Sequence, residues 1–83
     1  MTHQVDFTFK GDIACDSFIS FARHRAGRLD ISLDIGACSD TAITVSVAGE
    51  PDLVDMFEMA CSLGPYDCIV RDVMRSDAPY ATS

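Results

Sequence analysis

Residues 11–29 read Gly11-Asp12-Ile13-Ala14-Cys15-Asp16-Ser17-Phe18-Ile19-Ser20-Phe21-Ala22-Arg23-His24-Arg25-Ala26-Gly27-Arg28-Leu29, and a change of period inside this stretch sets the fold. Just before it, Val5, Phe7 and Phe9 alternate with Asp6, Thr8 and Lys10, the period-two pattern of a half-buried strand that Gly11 ends. From Ser17 onward, Phe18, Phe21, Ala22, Ala26 and Leu29 recur at helical spacing. Asp16 or Ser17 is placed to cap this helix, because a short side-chain oxygen accepts from the unpaired amides of a first turn. Arg23, Arg25 and Arg28 fall in its later half, where cations meet the negative end of the helix dipole.

Working outward, Ile31, Leu33 and Ile35 alternate with Ser32 and Asp34 in a second strand, and residues 36–40 supply a turn. A third strand over residues 42–47 sets Ile43, Val45 and Val47 inward, close enough to the second for an antiparallel hairpin. Gly49-Glu50-Pro51-Asp52 opens a second helix, with Pro51 suited to its first position and the acids to its first turn. Leu53, Val54, Phe57, Ala60 and Cys61 form its apolar stripe, Gly64 suits a left-handed cap and Pro65 prevents continuation. A fourth strand runs over residues 68–74. The predicted order is β-α-β-β-α-β, an α+β ferredoxin-like sandwich with a four-stranded antiparallel sheet and both helices on one face. The expected domain covers residues 1–75, with residues 76–83 as a loose tail.

Composition narrows the function classes. At 83 residues, with 48% hydrophobic and 23% charged residues, the chain reads as one small globular domain. Its formal net charge of −7 opposes nucleic acid and anionic membrane surfaces as partners. The first ten residues carry no basic region followed by an apolar one, so no signal peptide is expected, and no apolar run approaches the roughly 20 residues of a membrane span. The four cysteines, Cys15, Cys38, Cys61 and Cys68, are scattered without a C-x-x-C pair. Reduced thiols in a cytoplasmic protein are therefore expected. Neither His3 nor His24 has metal-ligand spacing to the other or to a cysteine, so no metal or cofactor is expected.

The chain resembles the acylphosphatase family from about Val5 to Val73. The family loop has the form G-x-V-Q-G-V-G-F-R-x-F, and Gly11, Phe18 and Phe21 fall at its first glycine and its two phenylalanines. Ala26 and Leu29 match helix positions. Gly49, Val54, Phe57, Gly64-Pro65, Val70 and Val73 fit the ending G-x4-V-x2-F-x6-G-P-x4-V-x2-V. The resemblance implies an anion-binding loop, here Ile13, Ala14, Cys15, Asp16, Ser17 and Phe18, and hydrolysis of carboxyl-phosphate bonds.

The departures fall on the groups that the resemblance makes catalytic. The phosphate-binding arginine of the family aligns with Ile19, and the asparagine that orients the attacking water aligns with Ala37, or one residue later with Cys38. Residues 13–17 contain no glycine, although glycines let successive N–H groups converge on an anion, and Asp16 adds a repelling charge. Loss of a guanidinium and of a water-orienting amide each costs about 3 kcal/mol of transition-state stabilisation. The expectation is an acylphosphatase-like domain without catalysis. It would act as a binding or interaction module for a protein or small-molecule partner, as a monomer or weak homodimer. The alternative is a hydrolase of acyl phosphates with weak or altered activity.

Other groups have both a functional and a plainer reading. Asp16 reads as a helix-capping group before it reads as a catalytic carboxylate. Cys15 lies near a helix N-terminus, where thiolates gain reactivity, but Asp16 opposes that, and His24 is about seven residues along the helix from Ser17, roughly 10 Å. Cys15 and Cys38 lie at the same end of the predicted sheet, within reach of a bridge or a soft-metal site, although no motif spacing supports the pair. The run Arg23-His24-Arg25 suits an acidic partner or nucleic acid, and dipole complementarity and solvation account for it at least as well. Met56 and Met59 read as an adaptable contact patch or as the edge of the core, the latter preferred. Thr8, Lys10, Ser32, Asp34, Thr44 and Ser46 make the helix-free face of the sheet a solvated one.

Overall fold

A computed structural model describes residues 3–77. Six elements follow in the expected order: β1 His3–Asp12, α1 Cys15–Leu29, β2 Ser32–Cys38, β3 Ala42–Gly49, α2 Pro51–Leu63 and β4 Ile69–Asp77. The strands form one antiparallel sheet in the order β2-β3-β1-β4, so β1 is central and the hairpin partner β3 lies beside it. Phe7 faces Val45 and Phe9 faces Ile43 across the β1–β3 pair. Both helices cover the face that carries these side chains. The ring of Phe9 lies 5.4 Å from that of Phe18 in α1, and Phe7 lies 6.2 Å from Phe57 in α2. Val5, Phe9, Phe18, Ala22, Ile43, Val54, Phe57 and Cys61 are all fully buried in this single core. Each phenylalanine so buried contributes about 2–3 kcal/mol of hydrophobic transfer free energy.

The β-α-β-β-α-β sandwich thus stands as expected, while several element ends differ. Helix α1 starts at Cys15, earlier than Ser17, with Ala14 at the N-cap and no side-chain cap hydrogen bond. Asp16 and Ser17 therefore sit within the first turn and do not cap it. The chain enters the helix already fixed by long-range ties, which leave no extended Asp or Ser to serve as the cap. At the other end Asp30 adopts the left-handed conformation (φ 58°, ψ 41°), and the cap amides reach the carbonyls of Ala26 and Gly27. Helix α2 begins on Pro51 and ends at Leu63, capped by Gly64, whose φ of 68° is positive but whose ψ of 170° lies outside the left-handed helical region.

Strand β2 continues through Gly36 and Ala37 to Cys38, with a bulge against β3 between Ile35 and Cys38, so the expected turn over 36–40 contracts to 39–41. Thr44 Oγ1 accepts from the Ala37 N–H at 2.9 Å and so pairs an amide that the bulge removes from the ladder. Strand β4 extends to Asp77, and Ser76 and Asp77 pair with Asp6 and Val5; the remainder of the expected tail lies outside the described residues. Gly11 stands at a second bulge, between Lys10 and Gly11 in the β1–β4 pair, where a Cβ would collide with the Ile69 carbonyl oxygen. Only glycine allows that approach.

Candidate functional site

The end of β1 and the start of α1 leave only Ile13 and Ala14 as a connection, because Cys15, Asp16, Ser17 and Phe18 are helical. The amides of the connection are committed in divergent directions. The Gly11 N–H donates to the Thr41 carbonyl at 3.0 Å, and the Ile13 N–H to the Asp40 carbonyl at 2.9 Å, so both are bound to the β2–β3 turn. The Ala14 N–H points elsewhere, donating to Cys68 Sγ at 3.3 Å, while the Ala14 carbonyl accepts from the Phe18 N–H at 2.9 Å. Ile13 buries its side chain in the core. An anion cradle requires successive N–H groups that converge on one point. Here the amides of Gly11, Ile13 and Ala14 are consumed by the fold itself.

Covalent chemistry closes the same corner. Cys15 and Cys38 form a disulfide with Cα atoms 6.1 Å apart, joining the first residue of α1 to the last of β2. The expectation of four reduced thiols is corrected for this pair and holds for Cys61 and Cys68, which are free and buried. The β2 bulge carries the strand far enough to bring Cys38 opposite the helix start, which sequence spacing does not convey. Burial pushes the Cys61 thiol up to about 12, against which the Arg25 charge is a smaller, opposing influence.

Ile19 and Ala37, the positions at which the resemblance places the family's arginine and asparagine, are both apolar. Ile19 is half-buried and packs against the core, where an arginine would have to leave the helix surface. Ala37 is exposed at the β2 bulge, with its N–H already bound to Thr44. Phe18 is wholly buried and serves packing. Ser17 Oγ donates to Asp67 Oδ1 at 2.7 Å and ties α1 to the turn before β4. Asp67, and the contact of Cys68 with Ala14, escaped the sequence reading. Their only sequence signal was Gly64-Pro65, which begins the turn in which the Cys68 N–H donates to the Pro65 carbonyl at 3.0 Å.

The electrostatics also disfavour an anion. Asp12, Asp16, Asp40 and Asp67 all belong to the segments that meet at this corner. Arg71 pairs with Asp12 at 3.0 Å, and its guanidinium holds the Asp12 carboxyl below the usual carboxylate range. Asp16 and Asp40 are exposed and are not part of that pair. Among the described residues, no three His, Cys, Asp or Glu side chains converge to hold a metal ion.

On α2 the structure corrects the placement of the methionines. Val54, Phe57 and Cys61 form the buried stripe, and Met56 and Met59 project from the opposite side with 54% and 68% of their surface exposed. No helix among the described residues is long and apolar enough to cross a membrane.

No protein-family model matches the sequence, and no curated protein matches it. Solved structures do. An acylphosphatase from Coxiella burnetii superposes with a TM-score of 0.85 at 17% identity, covering 99% of this chain and 86% of that one. An acylphosphatase from Bacillus subtilis gives 0.85 at 16% identity, covering 98% and 89%. Full-length HypF, in a phosphate- and nucleotide-bound form, gives 0.84 at 12% identity over 96% of this chain, which spans 11% of HypF. The chain thus has the acylphosphatase-like fold, with a disulfide and committed amides where its connection meets the sheet.

Proposed function

We propose that this acylphosphatase-like domain is catalytically silent and serves as a binding or interaction module. The observation that carries the reading is the commitment of the β1–α1 connection: the Gly11, Ile13 and Ala14 amides are bound within the fold, and Cys15 is bonded to Cys38. A phosphoryl group at this corner would find the Gly11, Ile13 and Ala14 amides already bound and would face Asp16 without a guanidinium at position 19. The hydrolase alternative draws on Arg71 as a substitute cation. That guanidinium is already engaged by Asp12.

The deciding experiment measures acetyl phosphate hydrolysis by the unaltered protein, with and without reductant, beside the Ile19→Arg, Ala37→Asn double variant. No turnover by the unaltered protein in either redox state is expected, and appreciable turnover in either refutes the proposal. Circular dichroism of the double variant reports whether the arginine at a core-packed position is tolerated. The cytoplasmic expectation rested on free thiols. In a reducing cytoplasm the Cys15–Cys38 bond opens, while the hydrogen bonds to Thr41, Asp40 and Cys68 remain available to hold the connection.

A further inference from the structure

The outer sides of the two helices carry a groove with two kinds of lining. Ser17, Phe21, Arg25 and Arg28 recur at helical spacing along one side of α1 and border a groove of about 600 Å³. Phe21 and Arg25 also border a second groove of about 370 Å³, whose other wall is Met56, Met59 and Leu63 of α2. The shared residues make the two continuous. Met56, Met59 and Leu63 are 54%, 68% and 79% exposed, an apolar row that an 83-residue acidic protein presents to solvent.

Charge distinguishes this groove from the rest of the molecule. The chain holds 6 basic against 13 acidic residues. Arg71 and Arg75 are neutralised by Asp12 and by Asp55 with Glu58. Arg23, Arg25 and Arg28 make no ion pair among the described residues. Arg25 lies over the Phe21 ring, 5.3 Å from its centre, which holds the guanidinium at the boundary between the cationic and apolar walls. A bare cationic wall beside flexible methionines fits an occupant with carboxylates on one side and large apolar groups on the other.

We propose that the α1–α2 groove docks an acidic amphipathic helical segment of a partner protein. Its carboxylates meet Arg25 and Arg28, and its apolar side chains cover Met56, Met59 and Leu63. An anionic bilayer offers the same two chemistries, but it meets the whole molecule, whose net charge is −7, whereas a single peptide meets only the groove. The inference deepens the proposed function and rests on it.

The test titrates the full chain into a fluorescent peptide of about 14 residues, with leucine at every third or fourth position and glutamate opposite, read by anisotropy. Saturable binding is expected. The Arg25→Glu, Arg28→Glu variant and the Met59→Asp, Leu63→Asp variant should each weaken it about tenfold or more, while Lys10→Glu leaves it unchanged. All these positions are on the surface, and circular dichroism confirms folding before titration. Absent binding, equal binding of a leucine–lysine peptide, or indifference to the groove variants overturns the proposal. So does preferential binding to phosphatidylserine–phosphatidylcholine vesicles, or a concentration-dependent dimer abolished by the same variants. Acetyl phosphate turnover is measured on the same preparation. Hydrolysis with peptide binding sinks only the silent-domain reading, and neither hydrolysis nor binding sinks only the groove.

Discussion

Replacing Cys15 and Cys38 together with serine removes the disulfide between α1 and β2 and, at the margin of the core, changes only the partly buried Cys38. The two residues are separated by 23 positions, and cross-linking a loop of that length lowers the entropy of the unfolded chain enough to contribute about 3 kcal/mol at 25 °C. A domain of this size has a total stability on the order of 4–12 kcal/mol, so the bond is a large share of it. The hydrogen bonds from Gly11, Ile13 and Ala14 hold the same corner in the native state, which keeps the fold intact when the bond is absent. The effect therefore lies chiefly in the unfolded ensemble. Urea unfolding without reductant, followed by far-ultraviolet circular dichroism, should show the midpoint falling by about 2–3 M, and thermal melting should drop by about 10 °C or more. Alkylation in denaturant without reductant gives the companion measurement: the unaltered protein should take up label at Cys61 and Cys68 alone. A double-serine variant within about 0.5 kcal/mol of the parent, or four labelled thiols in the parent, refutes the reasoning.

Other outcomes follow from particular contacts. Gly11→Ala pushes a Cβ into the Ile69 carbonyl and should cost about 2 kcal/mol or more, read as a shift in urea midpoint. Phe18→Ala empties a site that is 0% exposed and should cost about 3–5 kcal/mol, enough to unfold much of the population in a thermal scan. Cys68→Ala removes the acceptor of the Ala14 N–H, so that amide should lose hydrogen-exchange protection, with a stability cost of about 1–3 kcal/mol. The Cys61 thiol, raised from 9.0 to about 12 by burial, holds its proton in the folded state after the unfolded chain has lost it. Its contribution to stability is complete below pH 9.0 and is lost as pH rises toward 12; urea midpoints at pH 8 and 10 should diverge less in Cys61→Val than in the parent.

Much of the architecture was legible because it rests on period. Val5-Phe7-Phe9 and Ile43-Val45-Val47 alternate, Phe18-Ala22-Ala26 and Val54-Phe57-Cys61 recur at helical spacing, and burial sorts side chains by those periods alone. The departures at Ile19 and Ala37 belong to the sequence alone, and the structure adds that the first is half-buried and the second exposed.

What period cannot express is where an element stops and what its ends touch. The start of α1 at Cys15 depends on the β2 bulge, on Cys68 arriving beneath Ala14 from 54 residues away and on Asp67 reaching Ser17. For Met56 and Met59 the period already decides: with Val54, Phe57 and Cys61 inward, helical spacing puts both on the far side of α2, and the core-edge expectation followed their hydrophobicity instead of their position. The amino-acid order by itself determined the sheet, its two helices and the hydrophobic side chains between them, since alternation and helical spacing are local. The state of the β1–α1 connection, with its amides spent and Cys15 joined to Cys38, was decided only by tertiary structure, because hydrogen bonds and disulfides at that corner join segments that the sequence keeps apart.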